Sequence, residues 1–187
     1  VDSGEIGPIL SVTGRFGFPH RPAGDFRYSK NLGGGALLDA GFYPLAAAVA
    51  LLDSPLEVRG SLLQSAGEFE VDTNGAAMLS NLRQTAFLDW GFGRSYRSEI
   101  DVWCEDATVT INRAFAKPPD LETALLIRRQ SGETDEIRVP AANHFALMMD
   151  RFASVTAGIV ADDPRCAQDR ARLLAAIRDQ AASIDAG

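Results

Sequence analysis

The stretch from Leu56 to Val139 decides the fold class, because it breaks into consecutive short runs of two-residue period with no helical interval between them. The candidate strands are Leu56–Ser65, Gly75–Leu82, Thr85–Phe92, Arg97–Cys104, Ala107–Asn112, Leu121–Gln130 and Glu136–Val139. Turn residues such as Asp72-Thr73-Asn74-Gly75 and Ser131-Gly132 separate them. Parallel neighbours need long crossovers, so strands this close together predict a mainly antiparallel sheet. Ser98, Ile100, Val102 and Cys104 point one way; Arg97, Glu99, Asp101 and Trp103 point the other. Ala107, Val109 and Ile111 alternate with Thr108, Thr110 and Asn112 in the same manner. One apolar and one mixed face fit an open sheet covered by helices on a single side.

The flanks supply a further strand and those helices. Ile9 to Phe18 is β-branched and aromatic, a first strand stopped by Pro19. Residues 19–35 form a long loop that gathers His20, Arg21, Arg27, Tyr28 and Lys30, and loops of that length usually bind something. From Ala36 the period lengthens, and Leu38, Phe42, Leu45, Val49 and Leu52 mark one buried helical face. Pro44 has no N–H to give Ala40, which predicts a kink or a late start. Asn143 caps a second helix with the stripe Phe145, Met148, Met149, Phe152 and Val155. A third begins at Asp162-Asp163-Pro164, buries Leu173, Leu174 and Ile177, and runs on to Ile184. The expectation is a single α+β domain over 1–187, one open sheet of about six to eight strands. Its helices, from about 36, 144 and 166, should pack on the Ile100/Val102/Val109/Ile111 face.

Charge narrows the partners. A net −7 and a pI near 4.8 repel phosphate backbones, and no dense Lys/Arg cluster overrides this, so no nucleic-acid partner is expected. Two separated cysteines, Cys104 and Cys166, and two lone histidines make a metal site improbable; buried free thiols are the plainer reading. The longest apolar run, near Phe42–Leu52, is broken by Pro44 and falls short of a membrane span. With no signal-peptide pattern at Val1–Glu5, a soluble cytoplasmic protein without membrane contact is expected.

The densest cluster of useful chemistry is Gly33-Gly34-Gly35-Ala36-Leu37-Leu38-Asp39-Ala40-Gly41-Phe42-Tyr43. Glycines opening a helix allow close approach, and the free N–H groups favour an anion. Asp39 and Tyr43, four apart, share a helical face, so a carboxylate and a phenol could hold a sugar hydroxyl and pass its proton. The alternative is structural: Asp39 complements the helix dipole and Tyr43 is a half-buried anchor. A dinucleotide fingerprint is excluded, since no strand leads into the glycines and no βαβ unit follows.

That glycine–aspartate–tyrosine block resembles the helix signature of the glucose–fructose oxidoreductase/inositol dehydrogenase family. Ser3-Gly4-Glu5-Ile6-Gly7 resembles the family's crossing between its two domains, and Asn143-His144-Phe145 with Phe152 and the last helix resembles its C-terminal end. The resemblance implies a substrate-binding half of an enzyme that moves hydride between NAD or NADP and a sugar or polyol. The nucleotide-binding Rossmann domain, with a lysine in a Glu-Lys-Pro motif, is expected to be missing from this chain. Asp39 and Tyr43 would be catalytic, with Tyr43 exchanging the proton; a phenol, ionising near pH ~10, needs that lysine as neighbour. Arg27, Gly34, Gly35 and His20 would contact substrate. Phe16-Gly17-Phe18-Pro19, Arg27 and Arg113-Ala114-Phe115 with Pro118-Pro119 resemble the branch that reduces nucleotide-linked keto-sugars. There Arg27, with Arg15 or Lys30, would meet a pyrophosphate.

The resemblance further implies a homodimer through the sheet face, around Trp103, Thr108 and Thr110. A non-catalytic sugar-sensing or dimerisation module sharing the fold is the alternative to an enzyme. The chain alone is expected to be inactive.

Overall fold

The computed structural model describes residues 5–67, 69–161 and 164–186. Among the described residues there are nine strands: β1 (Ile9–Phe18), β2 (Glu57–Ala66), β3 (Asn74–Ser80), β4 (Thr85–Phe92), β5 (Arg97–Cys104), β6 (Ala107–Asn112), β7 (Thr123–Arg129), β8 (Thr134–Val139) and β9 (Ala182–Ala186). They form one sheet in the order β8-β7-β6-β5-β1-β4-β3-β2-β9. All pairs are antiparallel except β1 with β4 and β2 with β9. The expected mainly antiparallel sheet is therefore present, with β1 at its centre.

Ile100, Val102, Val109 and the even positions of β4 are buried, and on the sheet helix α1 (Phe42–Leu51) packs on β1 and β4 while α3 (Arg165–Gln180) packs on β2. Leu45 and Ala48 of α1 and Leu173 and Ile177 of α3 are all 0% exposed. Gly14 in β1 makes room for α1, because a Cβ there would lie 2.7 Å from Pro44 Cβ. The stretch Lys30–Leu51 is apolar enough for a membrane span by composition, yet half of it is buried inside this fold.

Four expectations need correction. The last helix stops at Gln180, not Ile184, and Ala182–Ala186 adds a ninth strand beside β2, which would otherwise present an unpaired edge. The helix α2 (His144–Thr156) forms, capped by Asn143 Oδ1, which accepts from the Phe145 and Ala146 N–H groups at 3.0 and 3.2 Å. It does not join α1 and α3 on the sheet. Phe145 is 77%, Met149 56% and Phe152 62% exposed. A helical period shows that a face wants cover; it does not say what provides it. Finally, Leu38 and Phe42 are exposed rather than buried; Leu37, Ala40 and Leu45 carry the packing instead. The cause is a π turn over Leu37–Gly41, after which α1 starts late, at Phe42. A π turn takes an extra residue, so the faces before and after it fall out of step, and Pro44 lands in the first turn of α1. The expected helix start at Asp162-Asp163 lies outside the described residues. Cys104 is buried and Cys166 exposed, so only one of the two thiols is as expected.

Beneath the π turn lies Trp90 of β4, 1% exposed. A Cβ on Gly41 would come within 2.9 Å of its ring, and one on Gly75 within 2.5 Å. The indole fills the space that those glycines leave.

Candidate active site

A cavity of ≈ 410 Å³ opens where the C-terminal end of β1, the 19–35 loop and the π turn meet. It is lined by His20, Arg27, Asp39 and Tyr43 among others, so the structure brings together four of the expected site residues. Aromatic walls come from Phe16, Phe18 and Tyr96, and a second guanidinium from Arg21.

Each polar group has a structural cause. Asp25 caps the short 3-10 turn Phe26–Tyr28 by accepting the Arg27 N–H at 3.0 Å. That bond, with the Arg27 guanidinium, holds the Asp25 carboxyl below the usual range. Arg27 Nε donates to Asp39 Oδ2 at 2.7 Å and its Nη1 to Asp25 Oδ1 at 3.1 Å. The guanidinium lies over Phe26, 4.6 Å from the ring centroid. Tyr43 stands among Phe16, Phe42 and Phe115, with centroids 4.9, 6.1 and 5.9 Å away. Among the described residues its hydroxyl has no hydrogen-bond partner, leaving it available to a ligand. His20 Nδ1 is 3.3 Å from the Tyr28 hydroxyl, and its ring occupies the space beside Gly93, whose φ is +71°. Only glycine suits that place.

Gly34 and Gly35 do not line this cavity. Their N–H groups donate to Ser29 O and Arg27 O, both at 2.9 Å. The anion at the helix start is internal: Asp72 accepts from Ala36 N through its carbonyl at 2.7 Å and from Leu37 N through Oδ2 at 2.6 Å. Of the other expected cations, Arg15 lies across the sheet, 3.6 Å from Asp101. Lys30 lines a separate depression with Gly33 and Gly34. Sequence reasoning missed Tyr96 and Ala116; only the turn glycine before Tyr96 signals that its loop bends back to the site.

Burial pushes the Asp72 carboxyl above its usual range, against the opposing pull of the Leu37 N–H. Ionising this carboxyl therefore costs more in the fold than in the unfolded chain. Its contribution is complete below about pH 4 and is lost as pH rises through the elevated folded-state value. Asp72→Asn should be as stable as the parent or more so at neutral pH, with any gain vanishing in acid. Asp72→Ala, which strips the Leu37 N–H of its acceptor, should cost about 1–2 kcal/mol. Urea midpoints at neutral and acidic pH check both.

Among the described residues no group of three or more His, Cys, Asp or Glu side chains could hold a metal ion.

Comparison with known proteins places this geometry. The profile of the GFO/IDH/MocA C-terminal domain matches residues 1–110. A dTDP-3,4-didehydro-2,6-dideoxy-alpha-D-glucose 3-reductase of Saccharopolyspora spinosa is 39% identical over 90% of this chain and 51% of its own length. The reductase of the same name from Actinomadura kijaniata is 34% identical over 82% of this chain and 46% of its own. A 3-ketoreductase from Actinomadura kijaniata, solved with NADP and TDP-benzene, superposes with a TM-score of 0.92 at 31% identity, over 100% of this chain and 58% of that one. A tyrosine-to-phenylalanine variant of that enzyme superposes with a TM-score of 0.89 at the same identity, over 100% and 58% of the two chains. This chain spans about half the length of the curated relatives it matches. On the match over 1–110, the chain belongs to the GFO/IDH/MocA family, as its C-terminal domain.

Proposed function

We propose that this chain is the substrate-binding half of an NADP-dependent reductase acting on a nucleotide-linked keto-sugar. The observation that carries the reading is the shared cavity of Tyr43, Asp39, Arg27 and His20. Relatives named as dTDP-keto-sugar reductases, and the ketoreductase solved with NADP and a TDP compound, support the substrate and cofactor.

Among the described residues the glycine-rich helix start offers no cradle for the dinucleotide. The N–H groups of Gly34 and Gly35 are spent on backbone carbonyls, and Asp72 occupies the helix start. The cofactor then belongs to a separate nucleotide-binding half, whose bound dihydronicotinamide supplies hydride to the keto carbon. The exposed stripe of α2 supports such a second half, because Phe145 and Met148 border an apolar groove that ends at Tyr43.

The residues here serve the other side of the reaction. As the keto carbon is reduced, its oxygen gains negative charge and takes a proton from the Tyr43 hydroxyl. Asp39 accepts a hydrogen bond from a sugar hydroxyl and fixes the ring's orientation. Arg27, which lines the cavity and whose Nε and Nη1 are held by Asp39 and Asp25, meets a phosphate oxygen through Nη2.

Assayed in the longer protein that carries this chain, a dTDP-linked 3-keto-sugar should oxidise NADPH, and the free sugar should do so far more slowly. The 187-residue chain alone should bind NADP(H) no better than millimolar. No turnover of any nucleotide-linked keto-sugar, or micromolar binding by the isolated chain, would sink the reading.

The open face of the sheet supports a symmetric homodimer. Met78 and Phe87, paired across β3 and β4, are 39% and 46% exposed, and Trp103 on β5 is 64% exposed. Sedimentation should show twice the 20.0 kDa chain mass, and Phe87→Asp with Trp103→Asp should return the monomer. A parent that stays monomeric at high concentration would refute it. A cytoplasmic location accords with this reading.

A further inference from the structure

The loop after β6 holds two residues in a conformation that side chains disfavour. Arg113 (φ 57°) and Ala116 (φ 46°) are both left-handed, and neither is glycine. Such strain persists only where the surroundings impose it, and it concentrates at functional sites. Here the imposing group is Ser98, a hydroxyl in the otherwise apolar row Ser98-Ile100-Val102-Cys104 of β5 and only 3% exposed. Its Oγ accepts the Phe115 N–H at 2.8 Å and donates to the Phe115 carbonyl at 3.0 Å. Its own carbonyl accepts the Ala114 N–H at 3.1 Å. Outside the clamp, the Arg113 guanidinium lies 4.3 Å from the Tyr96 ring centroid.

The clamp has a target. Phe115, held on both sides of its backbone, meets Phe16 at 5.7 Å and Tyr43 at 5.9 Å between ring centroids. Ala116, the next residue, belongs both to the Tyr43 cavity and to the apolar groove beyond it. Ser98 itself lines neither. Resting on the reading of Tyr43 as proton donor, we propose that Ser98 is a positioning residue: it locks the 113–116 loop so that Phe115 fixes the Tyr43 ring where its hydroxyl reaches the substrate oxygen. A small displacement of a reacting group costs a large factor in rate and little in ground-state binding.

The test is a double-variant cycle in the longer enzyme, with kcat and KM for the nucleotide-linked keto-sugar. Ser98→Ala should lower kcat about tenfold or more with KM within about threefold, and Ser98→Thr should restore most of the loss. Added to Tyr43→Phe, Ser98→Ala should slow turnover by less than about twofold further, since the clamp acts through the hydroxyl already removed. Unchanged kcat in Ser98→Ala, or losses that multiply in the double variant, would overturn the proposal. Ala116→Gly covers the case in which Ser98→Ala does not fold. Glycine relieves the strain, so melting temperature should hold or rise while kcat falls, and an unaltered kcat would again overturn the clamp. Full turnover by Tyr43→Phe sinks the underlying reading instead. That outcome is distinct from a slow Tyr43→Phe beside a fast Ser98→Ala, which sinks the clamp alone.

Discussion

Tyr43→Phe in the longer enzyme is expected to lower turnover by about 10²–10⁴-fold, the usual worth of general acid–base catalysis. The change removes one oxygen and leaves the ring among Phe16, Phe42 and Phe115. Among the described residues the hydroxyl has no partner in the fold, so its loss strands no donor or acceptor and the melting temperature should barely move. KM should change little, because the proton is shared in the transition state rather than in the bound ground state. Asp39→Asn should differ in kind. It weakens substrate binding as well as turnover and loosens Arg27, whose Nε donates to that carboxylate at 2.7 Å. Steady-state kinetics on the two variants separates the roles. Turnover within about twofold of the parent in both would return Asp39 and Tyr43 to helix-start stabilisation.

The largest loss of stability is expected from Trp90→Ala, about 3–5 kcal/mol, as for other large-to-small changes in a packed core. Against a typical domain stability of about 5–15 kcal/mol, that is enough to leave much of the chain unfolded at physiological temperature. The side chain is 1% exposed and fills the space kept open by Gly41 and Gly75, so neither glycine can supply a replacement surface. Trp90→Phe should cost much less. The indole Nε1 has no hydrogen-bond partner, so replacing it forfeits packing and no bond. Denaturant midpoints of the three proteins measure both effects. A loss below about 1 kcal/mol in Trp90→Ala would show that the π turn collapses into the space without strain.

How far the fold was legible follows from the range of its causes. Alternation in Ser98–Cys104 and Ala107–Asn112 reports which face is buried, because burial acts on each side chain separately. Pro44 announced the late start of α1, a local effect of a missing donor. The helix-start anion was legible only as a need: the N–H groups at residues 36 and 37 had to be satisfied, but Asp72 lies 35 residues further on and nothing local points to it. The amphipathic stripe of α2 was read correctly as a face needing cover and wrongly as one covered within this chain. At the site, the glycine–aspartate–tyrosine block singled out Asp39 and Tyr43, which line one cavity. The resemblance added Arg27 and His20, but the bond from Arg27 to Asp39 and the packing of Phe115 on Tyr43 were not legible, since they depend on the return of the 19–35 and 113–116 loops. Pairing of loops across a sheet is a tertiary fact.

The central position of β1 carries a consequence for how the molecule assembles. Ser11 pairs with Thr85 on one side and Trp103 on the other, so the strand joins partners roughly 75 and 90 residues downstream. The strands β2–β4 and β5–β8 can each zip up through hairpins between sequence neighbours, closing only short loops. β1 cannot: its docking pays the entropy of a long closure and needs both flanking edges in place first. On the ribosome, β1 emerges before the two strands that flank it and waits for both. Its apolar residues Val12, Phe16 and Phe18 stay open to solvent, and to other chains, throughout that interval. Docking of β1 into the slot between β4 and β5 is thus the expected late step of folding, and substitutions in β1 should slow refolding less than they speed unfolding.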